Sequence, residues 1–357
     1  MKLLVQPDDG ARPLIKAIAG ARRSIEIAIF RFDQREIEKA LANAVSRGVA
    51  VQALIAHTNR AGEANLRRLE RRLLAAGVTV ARTADDLVRY HGKLMIVDRR
   101  ELYLMAFNMT YLDMERSRSF GIVTRRPATV REAVRLFEAD SLRTPYDPAS
   151  DNLVVSPVNS RKLLAGFIEG AKKELFIYDP KISDRGMIRL LEERAAAGVD
   201  IRIIGRLTRT IAGIEARELS QMRLHTRSMI RDGQWAFIGS QSLRALELDE
   251  RREVGLIFHE RKLVAKLRLA FTGDWDHAAP AGTQEDRPPA AKVAKRVAKL
   301  LLKELPPVTE VLDGAVKDVE LNPEEVEAVV KDAVKSAVKE AVSDMVEQAV
   351  EESGAHR

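Results

Sequence analysis

The chain has 357 residues, 46% hydrophobic and 31% charged, a balance that excludes both a wholly disordered chain and a polytopic membrane protein. It has no cysteine and six histidines, which excludes disulfides, thiolate metal sites and a cysteine nucleophile and leaves Ser, Thr, His, Lys or a carboxylate to attack a substrate. The net charge of +7 is uneven: residues 281–357 carry −5, leaving +12 on residues 1–280, a body suited to anionic partners such as phospholipid headgroups or nucleic acid.

In chain order, MKLLVQPDDG reaches Asp8 and Asp9 before a signal-peptide core could form, and no window approaches the roughly 20 apolar residues of a bilayer span. We therefore expect a cytoplasmic protein, able to touch a membrane peripherally. Residues 12–22 carry Leu14, Ile15, Ile18 and Ala21 at helical spacing behind Asp8 and Asp9 as caps. SIEIAIFRF (24–32) alternates like a strand, 35–46 reads as a helix, and VAVQALI (49–55) suits a buried strand. Strands separated by helices imply parallel pairing through crossovers. The runs at 93–97 and around Tyr103 are two further strands, with a turn at 98–100, and SRSFGIV around Phe120 is a core strand.

The same order then repeats. An offset of 150 lays 5–55 on 155–205, pairing Pro7 with Pro157, Ile18 with Ile168 and Gly48 with Gly198; an offset of 134 pairs His91 with His225, Asp98 with Asp232, Gly121 with Gly255 and Asp140 with Asp274. We read a tandem duplication: an α/β first lobe over 1–145, a second over 146–280, and a helical tail, partly linker, over 281–357. In the tail, prolines 288, 289, 306, 307 and 323 separate the segments. Residues 292–303 form a basic amphipathic helix, and Ala-Val recurs at 333–334, 337–338, 341–342 and 349–350, a stripe suited to packing within or between chains, so the tail can carry oligomerisation or membrane contact.

The chemistry lies at the second offset. His91-Gly92-Lys93 is followed by Asp98 and, ten residues on, Asn108; His225-Thr226-Arg227 is followed by Asp232 and then Gly239-Ser240. A histidine and a cation two apart on a strand share a face. Two such units facing each other would surround one anion with two imidazoles, Lys93 and Arg227, supplying the nucleophile, acid and charge neutralisation that phosphoryl transfer needs without metal. We expect no cofactor. Weaker candidates are the His57–Arg60 loop and Arg116 and Arg118; His259, His277 and His356 read as surface, Trp235 and Phe237 as core, and no glycine-rich nucleotide loop is present.

These residues resemble the phospholipase D superfamily, whose bilobed members carry His-x-Lys, four residues, Asp, six residues, Gly-Ser-x-Asn twice; the likeness covers about residues 5–275. It implies two α/β/α lobes about a pseudo-twofold and a phosphohistidine mechanism. His91 would be the nucleophile and His225 the general acid, with Lys93, Asn108, Arg227, Ser240 and Ser242 round the phosphate. Asp98 and Asp232 would be turn-stabilising supports, and Glu253 would support a histidine. The pattern departs at Met105-Ala106 in place of Gly-Ser, Arg227 in place of Lys, Ser242 in place of Asn, and Ser119 where the supporting Glu would stand. The expected activity is a phosphodiesterase or phosphatidyl transferase on phospholipids, in the cardiolipin synthase and phosphatidylserine synthase branch. A metal-independent nuclease on DNA or RNA and a noncatalytic phosphate-binding scaffold are the alternatives.

Overall fold

The structure is a computed structural model that describes residues 1–57 and 63–281. Residues 1–281 form one compact unit; the expected tail elements, His356 and Thr58 to Arg60 lie outside the described residues.

The first lobe runs β1 (Lys2–Gln6), α1 (Arg12–Gly20), β2 (Ser24–Ile29), α2 (Arg35–Ser46), β3 (Ala50–Ile55), α3 (Glu63–Ala75), β4 (Thr79–Arg82), β5 (Arg89–Tyr90), β6 (Leu94–Val97), β7 (Glu101–Met105), α4 (Tyr111–Glu115), β8 (Ser117–Thr124) and α5 (Pro127–Leu142). The second runs β9 (Leu153–Val155), α6 (Ser160–Glu169), β10 (Glu174–Ile182), α7 (Arg185–Ala196), β11 (Asp200–Leu207), β12 (Ile214–Glu218), β13 (Arg223–Leu224), β14 (Arg227–Arg231), β15 (Trp235–Gly239), α8 (Ala245–Asp249), β16 (Arg251–Arg252), β17 (Val254–Phe258), α9 (Arg261–Asp276) and β18 (Ala279–Pro280).

Duplication in sequence becomes repetition in topology. The first sheet has the order β4-β3-β2-β6-β7-β8-β1, and the second has β12-β11-β10-β14-β15-β17-β9. As the helical crossovers require, β2 pairs parallel with β3 and β10 with β11; β6 and β14 then pair antiparallel beside them. The outer face of the first sheet is covered by α1, α2 and α3, whose Leu14, Ile18, Ile37, Leu41, Leu69 and Leu73 are buried. Another apolar cluster joins residues of both lobes, with Phe137 of α5 and Phe271 of α9 among the inner faces of both sheets. Burial of this shared apolar surface is the largest force holding one lobe to the other.

Two local expectations are corrected. Asp8 and Asp9 do not cap α1: Ala11 stands at the cap, Pro13 sets the first turn, and the Asp9 carboxylate accepts the Val5 N–H at 2.8 Å. The strand expected over 24–32 ends at Ile29, and Phe30, the next residue, meets His91 edge-on.

Strand exchange between lobes positions the site. The short β5 pairs parallel with β16, and β13 pairs parallel with β8, so each lobe lends the other the strand that leads into its histidine. Among the described residues, no helix is long and apolar enough to cross a membrane.

Candidate active site

His91 follows β5 and His225 follows β13. The His91 N–H donates to the Arg252 carbonyl at 2.7 Å, and the His225 N–H donates to the Arg118 carbonyl at 3.1 Å, so the backbone of each histidine is fixed by the opposite lobe. Behind each histidine the cation two residues on folds back: Lys93 Nζ donates to the His91 carbonyl at 2.6 Å and Arg227 Nη1 to the His225 carbonyl at 2.7 Å. The strand face expected from spacing is not what joins imidazole and cation, because both histidines and Lys93 lie between strands; the fold-back of each cation onto its own histidine's carbonyl does so instead.

The ring of His91 is clamped. Its Nδ1 lies 2.8 and 3.0 Å from the two carboxylate oxygens of Glu253, which is fully buried, and the Phe30 ring meets it edge-on at 4.6 Å. A carboxylate can only accept here, so Nδ1 carries the proton and Nε2 keeps its lone pair. Burial, followed by the charges of Lys93 and Arg227, holds His91 well below the usual histidine range; His225 is lowered by burial, then Arg227, Arg223, Lys93 and His91. Each imidazole is therefore held in its neutral form. Lys93, 1% exposed, is itself lowered to about 7, first by burial, against the pull of Glu253.

The remaining expected residues divide into three groups. Asp98 and Asp232 sit at positive φ in equivalent turns. Asp98 accepts the N–H groups of Arg22, Arg23 and Ser24 at 2.7–3.2 Å, and Asp232 those of Lys172, Lys173 and Glu174 at 2.7–3.2 Å. Both tie a β-turn to the start of a central strand. Asn108 and Ser242 are matched across the repeat: Asn108 donates from N and Nδ2 to Asp113 Oδ2 at 2.8 and 2.6 Å, while Ser242 donates its N–H to Glu247 at 2.8 Å and accepts from Arg227 Nε at 3.1 Å. Ser240 is fully buried; its hydroxyl accepts the Val254 N–H at 3.1 Å and hydrogen-bonds Glu253, placing it behind the clamp.

Among the weaker candidates, Arg118 is turned to Asp274 at 2.8 Å and to the Gln6 carbonyl at 3.0 Å, and Arg116 lies over Tyr111. The N–H of His57 donates to Thr83 Oγ1 at 2.9 Å. Phe237 is core as expected, whereas Trp235 is half-buried against exposed His259, ring to ring at 4.7 Å.

Sequence reasoning missed Phe30, Asp113, Arg223 and Glu247. Asp113 and Glu247 were within reach of it, since they are 134 apart and each stands five residues after Asn108 or Ser242. Phe30 had no such signal.

Residues 14–141 match the family model described as the cardiolipin synthase, PLD-like domain. That stretch, in the first lobe, is a phospholipase D-like domain. The chain is 29% identical to the mitochondrial cardiolipin hydrolase of Danio rerio over 141 residues, 38% of this chain and 58% of the hydrolase. It is 27% identical to the polyphosphate kinase of Yersinia pestis over 201 residues, 51% of this chain and 29% of the kinase. The chain thus spans 58% of the hydrolase and 29% of the kinase, less than two thirds of either. The fold is shared with the polyphosphate kinase of Porphyromonas gingivalis, with a TM-score of 0.66 at 19% identity over 81% of this chain and 53% of that one. It is shared also with the phosphatidylserine synthase of Haemophilus influenzae Rd KW20, with a TM-score of 0.64 at 11% identity over 85% and 92% of the two chains. The phospholipase D-like architecture, two α/β lobes in tandem, is therefore the fold of this chain.

Proposed function

We propose that the chain is a phosphodiesterase or phosphatidyl transferase acting on phospholipids through a phosphohistidine on His91. The observation that carries this reading is the clamp of His91 by Glu253 from the opposite lobe, beside Lys93 and Arg227. The clamp presents Nε2 as a nucleophile, and the two cations supply the charge that a phosphate oxygen needs as it gains electron density. In the first step Nε2 of His91 bonds to phosphorus, the bond from phosphorus to the leaving alcohol breaks, and His225 gives that oxygen a proton. In the second step water or an acceptor alcohol attacks phosphorus, His225 takes its proton, and the P–N bond breaks. Burial and then the surrounding cations keep His225 neutral; a phosphate anion offsets Lys93 and Arg227, so the imidazole gains its proton as substrate binds.

The cardiolipin synthase-like family model, the cardiolipin hydrolase and the phosphatidylserine synthase support phospholipid as the substrate. A second reading, a polyanionic phosphate chain such as nucleic acid or polyphosphate, is favoured by the further cations round the histidines, Arg31, Arg223 and Arg251. The test incubates the purified protein, in EDTA, with mixed phospholipid vesicles, with single- and double-stranded nucleic acid, and with polyphosphate. Phospholipid turnover with a ³²P label retained on His91 is the expected result. Turnover of nucleic acid or polyphosphate alone selects the second reading, and turnover of nothing leaves a phosphate-binding scaffold.

A further inference from the structure

The repeat that relates the two lobes breaks at a place where the chemistry is sensitive to it. Residues 134 apart match throughout the site: His91 with His225, Arg118 with Arg252, and Ser119 with Glu253. Because each histidine N–H is held by the matched arginine carbonyl of the other lobe, position 119 stands to His225 as position 253 stands to His91. Glu253 reaches Nδ1 of His91 at 2.8 Å. Ser119 offers only a hydroxyl; this residue is fully buried, and among the described residues neither its Oγ nor Nδ1 of His225 has a hydrogen-bond partner.

A carboxylate does face His225, from a different element. Asp113 of α4, 3% exposed, has its Oδ2 3.5 Å from Nδ1. Its place is built: Thr110 caps its N–H, Asn108 donates twice to Oδ2, and Arg223 pairs with Oδ1. Its counterpart Glu247 instead faces three arginines, Arg251 at 3.2 Å, Arg244 at 3.3 Å and Arg227 at 4.0 Å. Among the described residues, His225 is acted on by the charges of Arg227, Arg223, Lys93 and His91, and the Asp113 carboxylate lies 3.5 Å from its Nδ1.

We propose that Asp113 is the positioning residue of His225, doing from α4 what the residue at 119 would do if it were acidic. It holds the Nδ1 proton so that the second proton sits on Nε2 and points at the leaving oxygen. When the phosphorus–oxygen bond breaks, that Nε2 proton passes to the oxygen, and the neutral ring keeps its Nδ1–H on Asp113. The inference rests on the reading of His225 as the acid. Hydrogen bonds of this kind shorten when substrate closes the site, so the 3.5 Å separation fits the role.

The test exploits leaving groups. Bis(4-nitrophenyl) phosphate expels a phenolate that needs no proton, whereas phosphatidylglycerol in mixed micelles, or a thymidine dinucleotide, expels an alkoxide that does. Asp113→Asn should lower kcat on the alkyl diester by about 10²- to 10⁴-fold with KM little changed, and lower kcat on the nitrophenyl diester less than tenfold. Equal losses on both, no loss, or a raised KM with kcat retained would overturn the proposal, the last pointing to Arg223 and Asn108 instead. Asp113→Glu, which keeps the carboxylate, should hold the wild-type ratio of the two rates; a ratio as skewed as that of His225→Ala would also overturn it. Thr110→Ala, which removes only the cap, should leave the ratio unchanged, and a skewed ratio there would make the effect structural. If His225→Ala itself shows no leaving-group selectivity, the reading of His225 as the acid fails, a result separable from the behaviour of Asp113.

Discussion

His91 and Arg252 come from different lobes, and the N–H of the first donates to the carbonyl of the second at 2.7 Å. The bond places the nucleophile at a seam, with Glu253, the next residue after Arg252, on its ring. The matched bond from His225 to Arg118 does the same from the other side. Each half of the site is thus completed by the other half, and the apolar cluster shared between the sheets makes that completion stable.

Separation of the lobes is the first consequence. Residues 1–145 expressed alone should expose apolar surface from α5 and the inner sheet face, bind a hydrophobic dye and show no turnover. Addition of residues 146–281 should restore activity and quench the dye. Turnover by the first lobe alone, at a concentration where it is shown to be monomeric, would remove the shared site.

The clamp on His91 is the second. His91→Ala should abolish turnover and labelling. Glu253→Gln keeps the size but cannot accept the Nδ1 proton through a charged oxygen, and should lower kcat by about 10²-fold or more through loss of orientation and of charge stabilisation. Single-turnover quench flow, which separates formation of the phosphohistidine from its hydrolysis, should place the loss in formation.

Lys93 sets a pH dependence. Burial lowers its ammonium to about 7, so in the free protein the charge is present below that pH and lost above it. The folded value lies below the unfolded one, so protonated Lys93 costs stability, and stability rises as pH climbs from about 7 toward the unfolded value of 10.5. Affinity for an anion moves the opposite way. Sulfate, which does not titrate here, should inhibit less as pH rises above 7, with its inhibition constant growing up to tenfold per unit. Lys93→Arg should flatten that profile, and an unchanged slope would assign the dependence to another group.

The pair of Asp140 and Arg252 carries structural weight at the same seam. Arg252 donates to Asp140 Oδ1 at 3.1 Å and to the Ser156 carbonyl at 3.0 Å, and both side chains are buried. Burial raises Asp140 to about 6 despite Arg252. Asp140→Asn strands a buried guanidinium and should cost about 3 kcal/mol, a fall of several degrees in Tm. Asp140→Asn with Arg252→Met should recover part of the loss by differential scanning calorimetry.

Gly205 tests how tightly the second lobe's sheet is built behind the site. It has φ +142°, and a Cβ there would lie 1.7 Å from the carbonyl oxygen of Asp179. Asp179 holds the Leu243 N–H at 2.7 Å, next to Ser242. Gly205→Ala therefore has no rotamer that relieves the clash, and soluble yield and Tm should both fall sharply.

The two lobes, the parallel pairing through helical crossovers, both His-x-cation units and the turn at Asp98 with its match at Asp232 were legible in the sequence by itself. The reason is physical: duplication preserves local spacing, and spacing on a strand or in a turn decides which side chains share a face and which carboxylate reaches the N–H groups beside it. Glu253 was legible for the same reason, through its match to the family pattern. The tertiary structure decided the rest. That Phe30 meets His91, that Ser240 backs Glu253, and that Asp113 faces His225 where Ser119 lacks a carboxylate all depend on how the lobes pack across their seam. Contacts of that kind join residues far apart in the chain and leave no period in it, because they are set by the burial of the shared apolar cluster and by strand exchange between lobes.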